Sequence, residues 1–538
     1  MKRLTVLALV FTLTACVLSG CGTKAPEQEP YEGTQIVLAD SKITVDGAEI
    51  SADTAQAVYT ANDIVYYEEG HDFTYGEGTD ADAHSKEEAD AHTVVHITEA
   101  GQYVLSGTLS KGQIAVDLGD GAEENPEAVV TLVLNSVDIT CEVAPAVIFY
   151  SVYECGDTDT ETATKDVDTS KAGANVIIAD GSENTVNGAY VARIYKPDSV
   201  VLNEDGTEVE DAKKLHKYDA AFYSKMSMNV NGGTKGNGTL NINAENEGLD
   251  SELHLTVNGG NINIVSGNDG INTNEDYVSV TTINGGSLNI LVNGETGEGD
   301  GIDSNGWLVI NGGSVVAQAC STSGDAGIDS DLGIHLNGGT VIASGNMLDR
   351  IGESKINYAV FTFNSRQRSG DYSLKNSDGE AVFTCQTEND FTYLILAGES
   401  LSEGDYTLWC GEKQLEGTQS NGGFGGGMMK PDSQMPGDFS KPERFSVPED
   451  FSMPENMTPP EGFEGKPQHG GKRPEDCSIP EGMTPPETPQ EMTPPEGFED
   501  MSRPQGERPD SMQHPEDNGE ATTVFTIKNG GNYFSVAG

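Results

Sequence analysis

The tripeptide Asn-Gly-Gly occurs five times in the middle of this 538-residue chain, at 231–233, 258–260, 284–286, 311–313 and 337–339. The spacings are 27, 26, 27 and 26 residues. A fixed period of this length marks a repeat architecture, in which each repeat buries its apolar side only by stacking on its neighbours. A short alternating strand follows four of the five copies, at 261–264, 287–290, 314–317 and 340–343. In the first copy the strand is displaced and starts at Thr239, after Gly238. A second strand precedes the turn, as at 253–257 and 307–310. A third element comes before that, at 247–251, 269–273, 300–304 and 326–330. It reads mostly acid, Gly, aliphatic, Asp or Asn, then Ser or Thr.

Three short strands per period of about 26 residues describe one coil of a solenoid. The apolar period is two, β-branched residues abound and glycine recurs at the corners, which argues against helix. Glycine is expected there for the positive φ that tight corners need. The fold class expected is all-β: a single-stranded parallel β-helix over 33–357, regular at about 219–345, with a β cap. Residues 93–218 read as earlier, irregular coils, with strands near 101–109, 129–135 and 175–179 and a charged insertion at 187–218. Open solenoid ends invite further pairing, so 33–92 and the C-terminal segment are the expected caps.

Composition changes sharply near residue 420. Residues 421–520 hold 18 of the 23 prolines, with 21 acidic and 8 basic residues, and Thr-Pro-Pro-Glu recurs at 458–461, 484–487 and 493–496. Such a segment cannot bury enough apolar surface to order itself and reads as a disordered spacer. An alternating stretch returns at 522–527. The expected arrangement is a C-terminal β-unit at 358–420, completed by a returning strand within 521–538, with the Pro-rich tract as a long insertion.

The N-terminus carries Lys2 and Arg3, an apolar run from Leu4 to Leu18, and then Leu18-Ser19-Gly20-Cys21. The run is short for a membrane span. It reads as a signal peptide over 1–20 ending in a lipobox, with Cys21 as the lipidated residue and 21–32 as a tether. A second match ends at Cys16 but leaves a shorter apolar run. Several acyl chains on one cysteine anchor firmly, so the expected location is the extracellular face of the cell membrane, held through the lipid alone. Formal charge is −57, and loss of Lys2 and Arg3 makes it about −59. That charge excludes electrostatic binding to nucleic acid or acidic membranes and favours divalent cations. Six cysteines remain beyond Cys21, and their spacing matches no metal motif. Cys385–Cys410 is the one bridge suggested.

The third element carries chemistry. Its aliphatic residue is the only apolar position and should point inward. In register, Glu247, Asp269 and Asp300 form one row, with Asp325 nearby, and Asp250, Asn272, Asp303 and Asp329 form a second. Coils stack about 4.8 Å apart, at which two carboxylates repel by roughly 3–4 kcal/mol at an effective dielectric near 20. From Gly236 to Asp349 there are 15 Asp and Glu and no Lys or Arg. Protonation, splaying into water or a cation must relieve the repulsion, and hard oxygen donors suit Ca²⁺. One to three Ca²⁺ ions are expected, mainly at Asp269, Asp300, Asp303 and Asp329. The alternative is a solvated acidic face.

The asparagines of the turns are expected to stack as a corner ladder. His84, His92 and His96 suggest either a transition-metal site or an acidic surface loop. Trp307 could stack on a sugar ring or cover a coil edge, and Tyr277 is a weaker case of the same kind.

The segment Asp219-Ala220-Ala221-Phe222-Tyr223-Ser224-Lys225, the repeated Asp-Gly-Ile-Asp-Ser corners and the Asn-Gly-Gly turns resemble the carbohydrate-binding β-helix family of bacterial cell-surface proteins. The resemblance covers roughly 33–410 and the final strand, and is clearest over 170–345. It implies a right-handed parallel β-helix similar in shape to pectate lyases, bound calcium, and partners such as cellulose and acidic pectin. Calcium would fall on Asp269, Asp300, Asp303 and Asp329. The long Pro-rich insertion and the scarcity of aromatics depart from the family pattern.

Three functions remain open at this point. The first is calcium-dependent, non-catalytic polysaccharide binding. The second is a polysaccharide lyase, which needs a base within reach of the acidified proton; Lys225 is the best candidate. The third is a structural or adhesive surface protein, since fold alone does not define function.

Overall fold

The computed structural model describes residues 31–203, 205–420 and 521–537. The expected signal peptide, Cys21 and the Pro-rich tract lie outside the described residues. Within them the regular structure is strand, apart from one short α-helix at Lys86–Asp90 capped by Ser85 and a 3-10 turn at Pro197–Ser199. Among the described residues no helix is long and apolar enough to cross a membrane.

The repeats contribute strands to two long rows and, in the earlier part of the chain, to a third. The first row runs Ala174–Ile178, Met228–Gly232, His254–Val257, Val280–Ile283, Trp307–Ile310 and Gly333–Leu336, every neighbour paired parallel. The second runs Glu183–Gly188, Thr239–Ala244, Asn261–Ser266, Ser287–Val292, Ser314–Gln318 and Thr340–Gly345, also parallel. The third begins Thr93–Ile97, Gly112–Asp117 and Val147–Ser151, and continues Ala220–Ser224, Glu247–Ser251 and Ile271–Thr273. Period-two alternation sends one side of every strand inward. Leu255, Ile283, Leu308, Ile310 and Leu336 of the first row are buried, as are Ile262, Ile264, Leu288, Ile290 and Val315 of the second. The corner aliphatics Leu249, Ile271, Ile302 and Ile328 are fully buried in the same core.

The third row thins towards its end. Beyond Ile271–Thr273 only an isolated bridge, Ile271 to Ile302, continues it. There the amide of Asp300 donates to Asp269 Oδ1 at 2.7 Å, and that of Ala326 to Asp300 Oδ1 at 2.5 Å. Short acidic side chains compete with strand pairing for backbone donors, and here they take two of them.

The glycines divide into two kinds. The last glycine of each regular turn does adopt positive φ, as at Gly286 (87°). The corner glycines instead allow close packing: a Cβ on Gly270 would lie 2.2 Å from Ile290 Cγ2 and 2.6 Å from the Gly301 carbonyl oxygen. Conformational freedom, expected at both kinds of corner, explains only the first.

The sheets are mixed rather than purely parallel, because both ends pair differently. Val58–Ala61 pairs antiparallel with Thr93–Ile97. At the other end Phe391–Gly398 runs antiparallel to Thr340–Gly345. The final strand, Gly531–Val536, pairs parallel with Tyr358–Gln367 and antiparallel with Gly417–Ser420. Phe525 and Phe534 pack on Phe361 with ring centroids 5.4 and 5.3 Å away. The suggested Cys385–Cys410 bridge does not form. Both cysteines sit opposite Tyr372, on the two strands that flank it, which puts them two strand spacings, about 9.6 Å, apart. A disulfide needs Cα atoms within about 7 Å, and both thiols are free.

Candidate functional site

The acidic corner is built by the third row and the turns that extend it. Strand register aligns Tyr223, Asp250 and Asn272, and the Ile271–Ile302 bridge carries Asp303 on towards Asp329. Among the described residues one group of three or more potential ligands converges: Asp300, Asp303 and Asp329, whose ligand oxygens all lie within 4.8 Å of one another. All three are half-buried.

The other predicted residues flank this group. Asn272 Nδ2 donates to Glu247 Oε1 at 3.2 Å, and Asn274 Nδ2 to Asp250 Oδ1 at 2.7 Å. Glu247 Oε2, Asp250 Oδ2 and Asn272 Oδ1 are buried with no hydrogen-bond partner. Asp269 accepts from the Asp300 amide. Asp325 is drawn aside: it accepts from the Gly299 amide at 2.6 Å and from the Ser323 hydroxyl.

Burial raises the carboxyl pKa values of Glu247, Asp250, Asp269 and Asp300 well above the ordinary range, and neighbouring carboxylates raise them further. Asp303 is pushed up to about 7 by burial and then by Asp269; Asp329 is pushed up to about 7 by burial and then by Asp349. Four oxygen donors left without hydrogens are costly in a protein interior unless something positive satisfies them: the three above and Asp349 Oδ2. The converging carboxylates Asp300, Asp303 and Asp329 are hard oxygen donors of the kind a divalent cation takes.

Sequence reasoning missed Asn274 and Asp349. Asn274 holds Asp250 in place. Asp349 follows the last regular repeat, where Ile351 bridges Ile334 and the corner motif does not recur. The absence of a motif hid it.

Lys225 stands away from the converging carboxylates. Its amine pairs with Glu123 at 3.1 Å, and its strand neighbour Tyr223 is three coil steps, about 14 Å, from Asp303. Arg350 donates to the Leu332 carbonyl at 3.0 Å. The histidine trio does not assemble: Glu88 O and the Glu142 amide occupy both ring nitrogens of His92, and His96 bonds Asp63 at 2.8 Å. Trp307 is half-buried on the outward side of the first row, two residues before Val309. Tyr277 is 56 % exposed.

Residues 91–350 match the model of a family described as carbohydrate-binding domain-containing protein. A protein of Acetivibrio thermocellus with that same description is 27 % identical over 254 residues, covering 47 % of this chain and 62 % of the relative. The chain thus spans about three fifths of the length of that relative. A solved structure described as the polysaccharide lyase-like protein from C. thermocellum, a gadolinium derivative, matches with a TM-score of 0.32 and 20 % identity over 60 % of this chain and 98 % of that one. The resemblance to a carbohydrate-binding family read from the corners and turns therefore holds.

Proposed function

We propose that this chain binds polysaccharide without catalysis, that its acidic corner holds Ca²⁺, and that a lipid on Cys21 tethers it to the outer face of the cell membrane. In this reading the three parallel rows wind as a right-handed parallel β-helix with three strands per coil, and the Pro-rich tract is a spacer within the C-terminal unit. One observation carries the site. Asp300, Asp303 and Asp329 converge within the segment that matches the carbohydrate-binding family, with no Lys or Arg between Gly236 and Asp349 to neutralise them.

Asp300, Asp303 and Asp329 would hold the ion, and Asp269 lies next in the row. Bound calcium would balance their charge and leave positions for sugar oxygens, uronate carboxylates included. Without the ion an acidic glycan would be repelled. Lyase chemistry is the weaker reading, because a base must lie within hydrogen-bond reach of the proton it removes and Lys225 is about three coil steps off.

The test is calorimetry of calcium into the metal-stripped chain, followed by retention on immobilised polysaccharides with calcium or chelator. Saturable heat, and retention that chelator weakens for acidic glycans, support the proposal. A chain that takes up no calcium and is retained by no polysaccharide refutes it.

A further inference from the structure

A cleft of about 760 Å³ opens on the outward side of the first strand row, away from the carboxylates of the third. Its floor is the asparagine ladder of the turns, with Thr256, Thr282 and Val309 beside it. Asn258 Nδ2 donates to Asn231 Oδ1 at 2.9 Å, Asn284 to Asn258 at 2.8 Å, Asn311 to Asn284 at 2.9 Å and Asn337 to Asn311 at 2.9 Å. A side-chain amide has two N–H donors and two acceptor lone pairs. Stacking uses one of each at Asn258, Asn284 and Asn311, so each retains one donor and one acceptor, and all three are exposed. The row thus offers a paired donor and acceptor about every 4.8 Å.

The wall of the cleft is an arm, residues 165–170. Thr169 Oγ1 lies 2.7 Å from both Asn229 Oδ1 and Thr256 Oγ1, and Asn229 Nδ2 donates to the Thr169 carbonyl at 2.7 Å. These bonds pin one end of the arm over the early coils. Its other end borders the cleft beside Lys355, which joins it as a lining residue. A second asparagine ladder, Asn241, Asn263 and Asn289, has the same stacking bonds at 2.8 and 3.0 Å but belongs to the other row and does not line this cleft. Stacking alone therefore does not explain the walled groove.

We propose that this cleft seats an extended, neutral polysaccharide chain lying along the ladder, its hydroxyls taking the free donor and acceptor of each asparagine. A hydroxyl both donates and accepts, as the ladder requires. An extended β-1,4-linked pyranose chain advances per sugar by a length close to one coil step, so successive sugars meet successive amides. The proposal rests on the polysaccharide-binding reading and gives it a location distinct from the acidic corner.

The experiment titrates neutral β-1,4-linked oligosaccharides of two to six sugars into the full chain. It compares wild type with Thr282→Tyr, which fills the cleft floor, Lys355→Glu at its exposed edge, Asn263→Ala on the other ladder, and Asp303→Asn. Melting curves establish folding. Affinity should rise about 2- to 10-fold per added sugar, the range of one net hydrogen bond, and level off near four or five sugars. Thr282→Tyr should weaken binding at least tenfold and Lys355→Glu about threefold, with Asn263→Ala unchanged. If Thr282→Tyr fails to fold, the Lys355→Glu comparison decides. Binding that survives both cleft changes but is lost with Asp303→Asn would overturn the cleft and leave polysaccharide binding standing. A wild-type chain that binds neither these oligosaccharides nor any polysaccharide refutes both.

Discussion

Replacing Asp303 with Asn should change stability in opposite directions with and without calcium. Asp303 is the middle member of a carboxylate group whose ligand oxygens lie within 4.8 Å of each other. At that distance and an effective dielectric near 20, each ionised pair repels by roughly 3–4 kcal/mol. Half-burial admits water and screens this strongly, so relief of about 2 kcal/mol is a reasonable total for the two pairs that Asp303 makes. With roughly 400 described residues and about 2.1 cal/mol/K of unfolding entropy per residue, that raises the melting temperature by about 2 °C at pH 8 in chelator. Calcium at a hundredfold excess over its dissociation constant stabilises by about 2.7 kcal/mol, or about 3 °C. Wild type should gain that increment and Asp303→Asn should not. Scanning calorimetry of both proteins, each in calcium and in chelator, reads all four values. A variant that melts lower than wild type in chelator, or a wild type indifferent to calcium, would show that the carboxylates are neither in repulsion nor awaiting an ion.

The pH dependence follows from the same groups. Asp303 and Asp329 are raised from 3.8 to about 7, so the folded chain keeps these protons longer than the unfolded chain does. Their contribution to stability is present below about pH 3.8 and is lost as pH rises to about 7; melts across that window in chelator should show the loss, and calcium should offset it at the upper end. Phe534→Ala removes a buried ring packed on Phe361 and Phe525 and should cost about 3–5 kcal/mol, read as earlier melting of the C-terminal unit. Gly270→Ala should destabilise sharply although its φ is ordinary, because the added Cβ meets the Gly301 carbonyl; circular dichroism melts will show this. Reductant should leave melting unchanged, and thiol titration of the unreduced chain in denaturant should count Cys385 and Cys410 as free.

The regular strand rows were legible because their cause is local. Period-two alternation and a turn tripeptide repeated every 26 or 27 residues fix strand, corner and inward face together. The acidic corner was legible for a related reason: Asp300, Asp303 and Asp329 occupy repeat positions, so stacking them is a matter of counting. Asp325 shares the same corner, but its bonds to the Gly299 amide one repeat back and to the neighbouring Ser323 hydroxyl divert it, and the corner motif does not announce either partner. The arm at 165–170 was not legible at all. It reaches the ladder through Thr169 and Asn229, sixty positions apart, and nothing in its own composition announces that partner. The Cys385–Cys410 suggestion failed because sequence spacing does not reveal that a strand carrying Tyr372 runs between the two.

A crystal structure of the chain grown in calcium is the most direct test of the central claim. It should show an ion between Asp300, Asp303 and Asp329, coordinated at 2.3–2.6 Å. Well-ordered density at that corner with the three carboxylates turned apart, or held only by water, would contradict it.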